Sequence, residues 1–290
     1  MTFMDHLRSA WKRNDSLICV GLDPEPSRFP AALSGERDSI FSFCRAIVDA
    51  TADLVCAFKP QIAHFSAVGA EDALQRLIAH IHAAYPGIPV ILDAKRGDIG
   101  STAQHYATEA FDRYGADAVT ANPYLGRDAI EPFLSRADKG VVILCRTSNS
   151  GARDVQDLEV GGRKLYQHVA HTVAREWNGN GNCMLVVGAT WPAELAEVRR
   201  IVGEMPLLVP GVGAQGADVA AVVRSGRAIS EPGLVINSSR AILYASNGGD
   251  YADSARAAAL SLRDEVRRCS NASTDKAPGP ATASQVKIAK

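Results

Sequence analysis

The stretch Pro89-Val90-Ile91-Leu92-Asp93-Ala94-Lys95-Arg96-Gly97-Asp98 changes character in its middle, where an apolar run gives way to a dense cluster of charge. A continuous apolar run, rather than an alternating one, suits a strand buried on both faces of a parallel sheet. Polar residues directly after such a strand sit on the carboxyl rim of the sheet. Similar runs occupy residues 17–21, 54–58, 89–92, 118–120, 141–145, 184–187, 207–209 and 234–236, eight in all. Between them, Leu74, Leu77, Ile78, Ile81 and Ile88 mark one apolar helix face, and residues 103–114, 165–177, 193–202 and 218–224 have helical composition. Strand then helix, eight times over, predicts an α/β fold, the (β/α)8 TIM barrel. Phe3, Leu7 and Trp11 fall four apart, so an N-terminal helix is expected before the first strand, placed against the barrel floor.

Composition agrees with that architecture and narrows the function. The 290 residues fit one barrel of about 250 residues plus a tail as well as they fit two ordinary domains. With 47% hydrophobic and 22% charged residues, the chain resembles an average globular protein, which excludes overall disorder and collagen. A net charge of −1 sets up no field to gather nucleic acid or an anionic membrane, so a small, locally bound substrate is expected. Residues 1–11 carry Asp5, His6 and Arg8 without the apolar centre of a secretory signal, and no stretch approaches the roughly 18 apolar residues of a membrane span. Six scattered cysteines with no C-x-x-C pair argue against a zinc site or a disulfide framework and for buried free thiols, hence for the cytoplasm. The expected organisation is a single catalytic barrel over residues 1–269 and a flexible tail over 270–290, rich in Ala, Ser, Thr and Pro. Residues 149–162 form a long loop of the kind that is often functional, a candidate lid.

The rim positions carry the chemistry. Asp23 follows the first strand; Lys59 and Gln61 lie at the second, Asp93, Lys95 and Asp98 at the third, Asn122 at the fourth, and Thr147 and Ser148 at the fifth. Residues 211–216 and 237–240 follow the seventh and eighth. In a barrel all of these converge on one mouth. Asp93 and Lys95 are two apart and point to one side of a strand that continues to Lys95, while Arg96 turns away. With Lys59 beside them, a row of alternating Lys and Asp charges is expected, able to position a proton donor against a reacting carbon. A surface run of ion pairs is the alternative for this segment.

Gly211-Val212-Gly213-Ala214-Gln215-Gly216 fits the dinucleotide fingerprint G-x-G-x-x-G. A Rossmann unit needs an acidic residue ending the next strand, whereas Glu231 precedes that strand and too little chain follows. Glycine amides at a helix start, with Arg240 after the eighth strand, instead resemble the phosphate site that barrels build from their last two loops. A bare structural turn is the other reading. The pairs His80/His82 and His168/His171 lack the company a metal requires and are expected to be solvated or packed.

Together, Gly21-Leu22-Asp23-Pro24, Lys59-Pro60, Asp93-x-Lys95-x-x-Asp98-Ile99 followed by Thr102, Thr147-Ser148, residues 210–216 and Arg240 give a chain that resembles the orotidine 5′-monophosphate decarboxylase family from about residue 17 to 243. Lys95-Arg96-Gly97-Asp98, the long loop after Ser148 and the chain length resemble the longer, type 2-like branch. The resemblance implies a carboxy-lyase of pyrimidine biosynthesis that takes orotidine 5′-monophosphate to UMP without metal or other cofactor. It implies that Lys95 protonates C6 and that Asp93 faces the departing carboxylate. Lys59 orients Asp93 and touches the ribose, and Asp23 takes the ribose hydroxyls. Ser148 takes the pyrimidine edge, and Gln215, Gly213 and Arg240 take the phosphate. It further implies a homodimer in which Asp98 and Thr102 complete the partner's site. Two alternatives remain: a metal-dependent phosphosugar synthase or decarboxylase of a related barrel family, which wants a carboxylate where Lys59 stands, and a non-catalytic nucleotide-phosphate binder, which has no use for the charge row.

Overall fold

The computed structural model describes residues 1–33, 35, 36, 38–212 and 218–274. Eight barrel strands each coincide with one of the apolar runs: β1 (Ile18–Leu22), β2 (Ala57–Pro60), β3 (Ile91–Arg96), β4 (Ala118–Ala121), β5 (Gly140–Arg146), β8 (Cys183–Val187), β9 (Leu207–Pro210) and β10 (Leu234–Ser238). The remaining two, β6 (Glu159–Val160) and β7 (Arg163–Lys164), make an antiparallel hairpin outside the barrel. The parallel order β2-β1-β10-β9-β8-β5-β4-β3 runs round the ring, and the bridges Phe58 to Val90 and Gln61 to Asp93 bring its two ends together. Apolar side chains on both faces leave β1, β2, β4 and β8 buried throughout. Each wholly buried Leu, Ile or Phe contributes about 2 kcal/mol through area withdrawn from water.

One crossover helix follows each strand: α2 (Ser39–Thr51), α4 (Glu71–Ala84), α5 (Gly100–Thr108), α6 (Arg127–Leu134), α7 (Leu165–Thr172), α8 (Pro192–Val202), α9 (Val219–Gly226) and α11 (Tyr251–Thr274). Short helices α3 (Ile62–Ser66) and α10 (Arg240–Leu243) sit on the rim. The first helix, α1 (Phe3–Asn14), starts at a capping box of Thr2 and Asp5 and buries Phe3, Leu7 and Trp11, as their spacing predicts. It lies on the floor: the Phe3 amide donates to the Asp138 carbonyl at 2.8 Å, and the Phe3 ring fills the space where a Cβ of Gly140 would stand.

Several boundaries differ from the sequence reading. Ala52–Leu54 continues α2 as a 3-10 turn, so β2 begins at Ala57 and Lys59 lies inside the strand. Ile88 falls beyond α4, buried in the approach to β3. Residues 270–274, assigned to the flexible tail, extend α11 instead: they contain no Gly or Pro, and Arg227 donates to the Ser270 carbonyl at 2.8 Å. Residues 275–290 lie outside the described residues. The candidate lid is anchored at its base, where Gln156 binds Thr147 and Asp157 meets the buried Arg146.

Candidate active site

Asp93 is the hub of the barrel mouth. Its Oδ2 accepts from Lys59 Nζ at 2.8 Å and its Oδ1 accepts from Lys95 Nζ at 2.6 Å and from Thr120 Oγ1 at 3.0 Å. Lys59 comes from β2, Asp93 and Lys95 from β3, and Thr120 from β4, so three adjacent strands build the cluster. Lys59 and Asp93 are buried, whereas the Lys95 side chain is 47% exposed and accessible to a ligand in the mouth.

The backbone is bent to make this arrangement. Leu92 is opposite Val119 but Arg96 is opposite Ala121, so β3 bulges between them. Within the bulge Lys95 has φ +48°, the left-handed region that costs a non-glycine residue about 1 kcal/mol or more. Thr120 Oγ1 compensates by accepting from the Ala94 and Lys95 amides, each at 2.9 Å. Arg96 turns away as expected, pairing with Glu109 at 2.9 Å and lying over the Tyr106 ring.

Burial by itself pushes the Asp93 carboxyl up, but Lys59 and then Lys95 outweigh it and hold the group well below the usual carboxylate range. Burial also pushes the Lys59 ammonium down, while Asp93 and Asp23 together lift it above an ordinary lysine. The result is a carboxylate ionised at neutral pH and fixed between two ammonium groups, able to confront a second negative charge on a ligand.

The other expected site residues are distributed round the same rim. Asp23 follows β1, half-buried, with Oδ1 sequestered and without a hydrogen-bond partner among the described residues. Ser148 follows β5 and is packed so closely on Gly188 that a Cβ there would come within 2.8 Å of the Ser148 Cβ. Arg240 is exposed at the start of α10, after β10. Asp98 does not join the cluster within its own chain; its Oδ1 accepts from the Ile99 amide at 2.8 Å, and Thr102 is exposed on α5. The structure thus unites Lys59, Asp93 and Lys95 and leaves Asp98 apart. Gly213 and Gln215 lie outside the described residues. Two further rim residues are caps: the Gln61 side chain accepts from the Ala63 amide and that of Asn122 from the Tyr124 amide.

Thr120 is the site residue that the sequence reading misses, because a threonine in an apolar run reads as an ordinary strand former. Its one signal is a hydroxyl in a strand otherwise buried among apolar residues. His80 and His82 each have a carboxylate partner after all, but separate ones, Asp49 at 2.6 Å and Asp117 at 2.9 Å. Among the described residues no group of three or more His, Cys, Asp or Glu side chains is arranged to hold a metal ion.

Comparison with known proteins places this arrangement. The model of the orotidine 5′-phosphate decarboxylase / HUMPS family matches residues 16–255. Orotidine 5′-phosphate decarboxylase of Azoarcus sp. (strain BH72) is 65% identical over 266 residues, which cover 92% of this chain and 98% of that protein. Its namesake from Ralstonia pickettii (strain 12J) is 63% identical over 271 residues, covering 93% of this chain and 100% of that one. The solved structure of Leishmania donovani OMP decarboxylase superposes with a TM-score of 0.81 at 41% identity, covering 93% of this chain and 99% of the other. With the eight-stranded barrel and the charge cluster at its mouth, these matches show that the chain belongs to the orotidine 5′-phosphate decarboxylase / HUMPS family.

Proposed function

We propose that this chain decarboxylates orotidine 5′-monophosphate to UMP, with its own side chains supplying the chemistry. The observation that carries the reading is Asp93 held ionised between Lys59 and the more exposed Lys95. The bond from C6 to the carboxylate carbon breaks, its electron pair stays on C6, and neutral carbon dioxide leaves. The Lys95 ammonium delivers a proton to C6, forming the C–H bond of UMP, and the neutral amine regains a proton from water. No adjacent carbonyl delocalises the C6 electron pair, so a close positive charge and a poised acid must stabilise it. Asp93 faces the substrate carboxylate and favours its departure, while Lys59 keeps Asp93 ionised and oriented. Asp23 takes the ribose hydroxyls and Ser148 the pyrimidine edge. Arg240, with Gln215 and Gly213, grips the phosphate, whose binding energy is spent at the reacting carbon.

The same reading gives a homodimer in which Asp98 and Thr102 reach the partner's site. It is supported by their exposure away from the Lys95 cluster and by the apolar residues around them: Ile99 and, on the adjacent loop after β4, Tyr124 are 60% and 81% exposed. Cytoplasmic residence belongs to this reading too, and among the described residues no helix is long and apolar enough to cross a membrane. The direct test follows the ultraviolet spectrum of orotidine 5′-monophosphate with enzyme and excess EDTA. Turnover supports the proposal; strict dependence on a divalent metal refutes it in favour of the phosphosugar branch.

A further inference from the structure

The loop that carries Asp23 is fixed through its backbone by side chains from two neighbouring segments. Tyr244 Oη donates to the Asp23 carbonyl at 3.0 Å and accepts from the Glu25 amide at 2.6 Å, so one hydroxyl closes the turn across Pro24. From the β2 side, His64 Nδ1 stands 3.2 Å from the Pro24 carbonyl, a contact that needs the proton on Nδ1. The Tyr244 ring is itself immobilised: it stacks on Phe43 with centroids 5.8 Å apart, and the Arg28 guanidinium lies 3.8 Å above its centre. Arg28 pairs in turn with Glu25, at 3.6 Å. The Asp23 and Pro24 carbonyls and the Glu25 amide are therefore engaged, while the buried Asp23 Oδ1 has no partner among the described residues. A buried carboxylate oxygen left unpaired on a braced turn is an acceptor prepared for a donor that arrives with a ligand.

We infer that Tyr244 is a positioning residue, which sets the Asp23 carboxylate in place for the ribose hydroxyls of the nucleotide. The inference rests on the proposed role of Asp23 as the ribose ligand. Tyr244 is the C-cap of the short helix α10 that Arg240 begins, so one short segment meets both the phosphate and the ribose ends of the substrate.

The test compares UMP with 2′,3′-dideoxyuridine 5′-monophosphate as competitive inhibitors of the wild type, Tyr244→Phe, Asp23→Asn and the double variant. Loss of the two hydroxyl contacts should weaken UMP about fivefold in Tyr244→Phe, the scale of a net hydrogen bond, and leave the dideoxy nucleotide unchanged. Asp23→Asn should show the same selectivity more strongly, and the double variant should bind UMP no more weakly than Asp23→Asn alone, since Tyr244 acts through Asp23. For orotidine 5′-monophosphate, the Tyr244→Phe loss should appear mainly in KM. Equal weakening of both nucleotides, or none, in Tyr244→Phe alongside a selective Asp23→Asn overturns the inference and leaves the ribose assignment standing. An Asp23→Asn variant that does not discriminate the two nucleotides refutes the ribose assignment and the inference with it. Should Tyr244→Phe fail to fold, His64→Phe releases the same turn from its other side and is held to the same selective loss.

Discussion

Lys59 Nζ stands 2.8 Å from Asp93 Oδ2 in a place where water reaches neither residue well, Lys59 being 4% and Asp93 7% exposed. Each charge depends on the other, because an ion withdrawn from water without a partner costs several kcal/mol.

Asp93→Asn should therefore destabilise the fold as well as stop turnover, since it takes from the buried Lys59 ammonium its hydrogen-bonded counter-charge and leaves only the more distant Asp23, at a cost of about 3 kcal/mol. The pH dependence of that cost has a definite sign. The folded pKa of Asp93 lies below its unfolded value, so the stability it contributes is complete above about pH 4 and is lost as pH falls through the lower folded value. Lys59 is raised, so its contribution is complete below about pH 10 and is lost as pH rises through the folded value. Urea unfolding of wild type and Asp93→Asn should show a constant difference from about pH 5 to 9 and a shrinking one in acid. A difference below about 1 kcal/mol at neutral pH contradicts the pairing argument.

Thr120→Val keeps the shape of the side chain and removes the oxygen that holds the Ala94 and Lys95 amides and donates to Asp93. With the left-handed Lys95 no longer braced, kcat should fall about tenfold or more, while Thr120→Ser stays within a few fold of wild type. Equal rates for the Val and wild-type enzymes would remove Thr120 from the site.

Arg240→Ala removes one charge-assisted clamp from the proposed phosphate grip. KM should rise by about 100-fold or more, and added guanidinium should recover part of kcat/KM. Steady-state kinetics with unchanged constants would move the phosphate site elsewhere.

If Asp98 serves the partner's site while Lys95 serves its own, Lys95→Ala and Asp98→Ala homodimers are each nearly inactive, and mixing them restores activity. A mixed dimer holds one site with both lesions and one that is wild type. Equal amounts refolded together give about half mixed dimers, so activity should recover to about a quarter of wild type. Verified heterodimers as inactive as their parents would place Asp98 in its own chain's site or outside any site.

Much of this was legible in the sequence because both signals are local. Apolar runs buried on two faces mark the strands, and the polar residue after each run marks the rim; Asp23, Lys59, Asp93, Lys95, Ser148 and Arg240 all take rim positions in the fold. What was not legible depends on contacts distant along the chain. The bulge that points Lys95 is held by Thr120, 25 residues away, and the turn carrying Asp23 is closed by Tyr244, 221 residues away. The start of the tail at residue 270 differs from the end of α11 at Thr274 for a different reason: a stretch of Ala, Ser and Asn is neutral between helix and coil, and packing of the preceding turns decides it.

The central claim is that Lys95, held by Asp93, is the proton donor. It is tested most directly by measuring, on the same preparation of Lys95→Ala, the turnover of orotidine 5′-monophosphate and the affinity for UMP. The account predicts turnover reduced by at least about 10⁴-fold, with UMP bound within about tenfold of wild type because the phosphate and ribose contacts survive. Turnover close to wild type in a variant that binds UMP normally would contradict it.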